Sequence, residues 1–243
     1  MTRLRRVYHE SVAGPGALVR LEPEEAHHVA HVLRLRPGEA LSVFDGRGEE
    51  WDATVRTAGR EGVEILVGEP RADRVEPQLA VTLYQGLCRP DRMEWVIQKA
   101  TEIGACAVQP VLTRRGDERP PSPERLVRWR RIAREAAKQS GRRSVPRVGE
   151  PAAPPAAVPA GILGLLFAPS LSAPPPAAAA PPAPRAAWLL VGPEGGLEPE
   201  EVTALLEGGW RGASLGPRTL RTETAGVVAC ALVLHAWGDL GRI

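Results

Sequence analysis

The 243-residue sequence contains no asparagine and only two lysines, Lys99 and Lys138. It has two methionines, two phenylalanines, two tyrosines and three cysteines. Each shortage excludes something. Cys88, Cys106 and Cys230 are scattered and odd in number, which rules out a disulfide framework and the paired spacing of zinc or redox motifs. Cys230 lies in an apolar run and reads as a small core residue, and a reduced cytoplasm fits such cysteine use. No apolar run approaches the roughly 18 residues of a membrane span. The basic opening "MTRLRRVYHE" has no apolar stretch behind it, so no signal peptide is expected. There is no GxGxxG and no GxxxxGK[ST], which argues against a Rossmann dinucleotide site and a P-loop. His27, His28 and His31 offer an i, i+4 pair, but with no HExxH and no third ligand nearby no metal is expected. Arginine and proline in excess with no asparagine suggest a GC-rich, heat-adapted source.

What is present is enough for a buried core: 43% of residues are hydrophobic and the mean hydropathy is −0.17. The formal net charge of +2 hides an asymmetry, because Arg114–Arg147 alone carries +8 and the remainder −6. A local positive field on a nearly neutral chain points to a polyanionic partner. Arg128, Arg131, Arg134 and Lys138 recur at helical spacing, and Arg142 and Arg143 extend the stripe. Phosphate contact is the expected use, with a solvated helix face as the plain alternative. Arg3, Arg5 and Arg6 form a second basic group.

Two regimes follow along the chain. Residues 1–70 hold strand candidates at 17–21, 40–45, 50–57 and 63–69, interrupted by a helix over 23–33 with proline and two glutamates in its first turn. Several short strands with one helix predict a small barrel. Residues 71–243 alternate strands and helices, which predicts a parallel α/β sheet. Its strands are expected at 79–85, 105–113, 161–169, 186–192 and 212–216, and its helices at 92–104, 123–141, 197–209 and 224–238. Pro/Ala segments at 151–160 and 173–187 read as loops.

Ligands of such sheets collect outside the carboxyl ends of the strands. Three strand ends there carry suggestive loops: "LLFAPS" (165–170), "VGPEGGL" (191–197) and "LGPRTLRTETAG" (215–226). Glycines let backbone N–H groups approach a ligand. Arg218, Arg221 and Glu223 could form a reactive group, or simple surface pairs with Thr222 as a helix cap.

Together "GPEGGL" and "LGPRTLRTETA" closely resemble the RsmE-type ribosomal RNA methyltransferases of the SPOUT superfamily. "HHVAHVLRLRPGE", "FDG", "IQKATEIG" and "IAREAAKQSGR" extend the resemblance over most of the chain. It implies an N-terminal PUA-like barrel, and a C-terminal domain whose parallel sheet is tied in a deep trefoil knot that binds S-adenosyl-L-methionine. It also implies a homodimer that methylates N3 of a uridine in 16S rRNA, with the 30S subunit as partner. On that pattern the cofactor residues are Leu166, Phe167, Ala168, Gly192, Pro193, Gly195, Gly196, Leu215, Gly216, Pro217, Thr219 and Leu220. Arg221 would polarise the base, and Glu223 would take the N3 proton or hold Arg221. The RNA-binding set is Arg3, Arg5, Arg6, Arg34, Arg128, Arg131, Arg134, Lys138, Arg142, Arg143 and Arg218. Two alternatives remain open: a non-catalytic RNA-binding or ribosome-assembly protein, and a SPOUT enzyme acting on another RNA position.

Overall fold

The computed structural model describes residues 5–72, 76–116, 119–171, 173–176 and 184–241. The chain divides into two compact units. The first takes in the described residues up to Glu76 together with Ala137–Val145, and the second takes in Pro77–Ala136 and the described residues from Pro146 onward.

The first unit is a five-stranded sheet. Strands β1 (Arg6–Tyr8), β2 (Leu18–Arg20), β3 (Ala40–Phe44), β4 (Glu50–Gly59) and β5 (Gly62–Pro70) lie in the order β1-β3-β4-β5-β2. β1 runs parallel to β3 and the other pairs are antiparallel. β4 alternates Ala53 and Val55 inward with Asp52, Thr54 and Arg56 outward, the period-2 pattern of a half-buried strand. Val7, Leu41, Val43, Ile65 and Val67 complete the core on which Val29 packs. The expected helix over 23–33 is a short α1 (Pro23–His27) followed by a π-helical turn, His28–Val32. His27 and His31 stack with ring centroids 4.4 Å apart.

The second unit is an all-parallel sheet. β6 (Ala80–Gly86), β7 (Ala107–Val111), β8 (Arg147–Val148), β9 (Ile162–Phe167), β10 (Ala186–Val191) and β11 (Arg211–Gly212) lie in the order β11-β9-β10-β6-β7-β8. Parallel sheets covered on both faces need near-continuous apolar strands. Leu163, Leu165, Leu166, Leu189 and Leu190 meet that need and are buried. Helix α2 (Pro90–Ile103) begins with proline and ends at Gly104; α3 (Pro123–Ser140) follows β7. α4 (Pro199–Glu207) starts with a reciprocal capping box between Glu198 and Glu201. α5 (Thr222–Trp237) packs on α2, β6 and β10, burying Ala229, Cys230, Val233 and Leu234. Among the described residues no helix is long and apolar enough to cross a membrane.

β1 and β8 were not expected, and two boundaries also shift. "GASLG" forms strand only at Gly212, after which the chain turns away as a loop. The helix expected from 224 begins at Thr222, so Glu223 sits in its first turn.

The arginine stripe also divides. In the first unit Arg6 is buried, its Nε 2.8 Å from Glu50, and it donates to the backbone oxygens of Lys138 and Arg142 at 3.0 Å each. Lys138 is bonded to Glu25 at 2.8 Å, Arg142 to Glu76 at 2.8 Å, and Arg143 to Glu50 at 3.3 Å. The RNA-binding expectation for Arg6, Lys138, Arg142 and Arg143 is therefore corrected. Buried cations are tolerable only when paired, and these four are committed to carboxylates and carbonyls inside the unit. Arg5, Arg34, Arg128 and Arg131 are exposed and Arg134 is half-buried. Of these, Arg5 pairs with Glu39 at 3.2 Å and Arg128 with Glu94 at 2.6 Å. Arg34 adopts φ 55°, a rare left-handed backbone for a side-chain-bearing residue. Arg3 lies outside the described residues.

Candidate active site

The second unit gathers its three suspect loops at the carboxyl ends of β9 and β10. The chain leaves β11 beside β9 and returns through 213–221 to α5, which lies over β6. Two contacts demand glycine. A Cβ on Gly86 would sit 2.3 Å from the nitrogen of Pro193, and one on Gly226 would sit 2.2 Å from Oε1 of Gln85. The end of β6 thus touches the 192–193 turn, and the first turns of α5 press on β6. Gln85, fully buried in β6, donates to Thr222 Oγ1 at 2.8 Å, and Thr222 donates to the carbonyl of Gly192 at 2.5 Å. This chain of two bonds locks the start of α5 to the 192–193 turn.

A cleft of about 250 Å³ opens between 167–171 and 213–220. A neighbouring cleft of about 420 Å³ opens between 167–169, 191–197 and 219–222. Phe167, Ala168, Pro169, Thr219, Leu220 and Ala225 line both. Leu215, Gly216 and Pro217 wall the first, and Gly192, Pro193 and Gly196 the second. Gly216 stands at φ 102°, which presents backbone rather than side chain to the opening. The walls are apolar with backbone polar groups between them, the usual chemistry of a small-molecule site.

Two expected cofactor residues lie elsewhere. Leu166 is buried in the core beneath the cleft with Leu190 and Trp210, and only its carbonyl reaches the loop, accepting from Ala213 N–H at 2.9 Å. Gly195 faces away, with room for no Cβ because the Arg115 carbonyl would lie 2.8 Å from it. The reason is local: the turn backs onto residues 113–116, where Arg115 pairs with Glu198 at 2.9 Å.

Charged groups sit at the rim. Arg218 lines the first cleft and Arg221 the second. Arg221 is exposed, and its guanidinium has no hydrogen-bond partner among the described residues. Glu223 does not pair with Arg221. Its Oε1 is 3.6 Å from Nε of Arg92, whose Nη1 is 3.0 Å from Glu194. Arg92 lines the second cleft and was missed from sequence, as were Glu194, Pro169 and Leu197. Its signal was positional: it opens the helix after β6, at the same end of the sheet as the other loops. Among the described residues no group of three or more His, Cys, Asp or Glu could hold a metal.

Comparison with known proteins bears on this arrangement. Residues 75–234 match the RNA methyltransferase domain and residues 21–68 the RNA methyltransferase PUA domain. The ribosomal RNA small subunit methyltransferase E of Synechocystis sp. is 36% identical over 223 residues, 89% of this chain and 73% of that protein. The chain belongs to the ribosomal RNA small subunit methyltransferase E family. The Bacillus subtilis member is 32% identical over 87% of this chain and 88% of its own length. A crystal structure of the Neisseria gonorrhoeae member bound to S-adenosyl methionine superposes with a TM-score of 0.89 at 31% identity. It covers 97% of this chain and 99% of that one. The mixed α/β architecture, with a small N-terminal β unit and a parallel sheet, is that of the family.

Proposed function

We propose that this protein transfers a methyl group from S-adenosyl-L-methionine to N3 of a uridine in 16S ribosomal RNA. The observation that carries this reading is the backbone-lined double cleft at the carboxyl ends of β9 and β10, with free-standing Arg221 at its rim. The residues present fit the cofactor. Phe167, Leu215, Leu220 and Ala225 offer apolar walls for an adenine and a thioether, and the backbone around Gly216 offers polar groups to its edges. When bound, the cofactor supplies an electrophilic methyl carbon on a sulfonium.

The chain's own task is to hold that carbon in line with the base, because positioning accounts for much of such a rate. Uracil N3 becomes nucleophilic as its proton passes to a solvent water at the open rim, and negative charge grows on O2 and O4. Arg221 is the donor assigned to that charge, as a preorganised group at the cleft rim. Glu223 lines neither cleft and is assigned a positioning role. Arg5, Arg34, Arg128, Arg131, Arg134 and Arg218 remain the RNA-facing set. The 30S subunit as substrate, a homodimer, a cytoplasmic site of action and a trefoil knot built from the loops at 165–170, 191–197 and 215–221 all belong to this reading. So does a boundary at residue 70 between a PUA-like RNA-binding part and the methyltransferase part.

The test is methyl transfer from labelled cofactor to 30S subunits and to naked 16S rRNA lacking the modification, with nucleoside mass spectrometry of the product. N3-methyluridine at one position supports the reading, and a ribose methyl or no transfer overturns it. Arg221→Ala is expected to lower kcat about 10²–10³-fold, as loss of one anion-stabilising donor does, with cofactor affinity measured by calorimetry nearly unchanged.

A further inference from the structure

Glu194 is the one side chain in "GPEGG" able to carry charge, and a turn that serves only to approach a ligand has no need of it. Its carboxylate reaches across the second cleft's rim to Arg92 Nη1 at 3.0 Å. Arg92 Nε faces Oε1 of Glu223 at 3.6 Å. The remaining oxygen of Glu223 is buried and has no hydrogen-bond partner among the described residues. One guanidinium therefore spans the Glu194 turn and the first turn of α5, 29 residues apart in sequence, and Glu194 and Thr222 beside Glu223 both line the same opening. Arg92 itself is anchored at the start of α2, bonded into its first turn through Arg89.

We propose that Arg92 is a positioning residue that straps the Glu194 turn to the first turn of α5, and so sets where Arg221 stands over the base. The strap rests on the methyltransferase reading for its consequence but not for its existence. A planar guanidinium has donors on separate nitrogens and can hold two carboxylates at once, which a lysine ammonium does far less well. Two carboxylates, Glu194 and Glu223, then share the one guanidinium of Arg92. The strap also keeps two carboxylates from confronting an incoming polyanion unpaired. Arg221 and Glu223 flank Thr222, whose own bonds to Gly192 and Gln85 fix the backbone. Arg92 adds the side-chain half of that fixation on the solvent side.

The experiment compares Arg92→Gln, Arg92→Lys, Glu194→Gln and the Arg92→Gln/Glu194→Gln double variant in the full chain. Arg92→Gln is expected to lower kcat about 10²-fold, the scale of a small misplacement of reacting groups, while KM for RNA changes less than about threefold. Arg92→Lys should recover only part of the loss. The double variant should be no slower than Arg92→Gln alone, because both remove the same link. Wild-type kcat in Arg92→Gln, or fully additive losses, overturns the strap while leaving the methyltransferase reading intact. A second readout needs neither cofactor nor RNA. The Arg92 Nε–H resonance of the free protein should shift on Glu223→Gln and again on Glu194→Gln. No shift from either variant overturns the proposal even if the wild-type protein transfers no methyl group.

Discussion

Gly226 lies where α5 crosses β6, and its missing side chain is the condition for that crossing. A methyl there would come within 2.2 Å of the buried Gln85 amide oxygen. Gln85 cannot swing away without dropping its 2.8 Å bond to Thr222. Gly226→Ala should therefore cost about 1–3 kcal/mol, the usual scale of overpacking. It should also weaken cofactor binding, because the start of α5 forms one wall of the cleft. Urea unfolding and calorimetric titration measure the two effects. At this scale the sequence was partly legible. The resemblance of three loops to those of a known family had pointed to Phe167, Gly192, Leu215 and Leu220, and all four line the clefts. Arg92 was not found, because a single arginine at a helix start looks like any surface charge until Glu194 and Glu223 are seen beside it. Leu166 was misplaced by one residue of strand alternation: in β9 its neighbour Phe167 faces the cleft while Leu166 faces the core.

At the scale of elements, β6, β7, β9 and β10 were legible because burial on both faces writes itself as largely apolar runs. β8, two residues long, was not expected, and β11 was expected too far along, since "GASLG" has the small residues of a strand edge but serves as a cleft wall after Gly212. The arginine stripe of α3 shows what periodicity leaves out. Spacing predicts a charged face, yet whether it meets water depends on carboxylates far away in sequence. Glu76, Glu50 and Glu25 stand 66, 93 and 113 residues from Arg142, Arg143 and Lys138. Glu50 carries a test. Burial pushes its carboxyl up, but hydrogen bonds from Arg6 and Ser42 and the nearby charge of Arg71 outweigh this and hold it below its ordinary 4.5. A carboxyl whose folded value lies below its unfolded one adds stability above the unfolded value. That stability is lost as pH falls through the lower folded value. The first unit should accordingly lose stability on acidification below about pH 4.5. Glu50→Gln should flatten that dependence and lower stability at pH 7 by about 3–5 kcal/mol, since Arg6 and Arg143 would be left buried without their carboxylate. Thermal melts from pH 3 to 7 read both.

For the whole molecule, the first unit is built from two separated stretches of chain, and residues 137–145 complete it. Residues 1–76 expressed alone lack the carbonyls of Lys138 and Arg142 that accept from Arg6, the Arg142 that neutralises Glu76, and Arg143, one of the three arginines around Glu50. Such a fragment is expected to show no cooperative transition in urea by circular dichroism, whereas the full chain should. A sharp transition in the fragment would mean that the buried ion pairs are dispensable to this unit.

The return of the chain from α3 into the first unit also orders events during synthesis. A ribosome that has released only the first 76 residues has released carboxylates and an arginine whose partners are still unmade. The N-terminal unit must wait, open, until about seventy further residues emerge. The N-terminal unit, in consequence, is not a module that a gene can shed or lend by a single cut at residue 76.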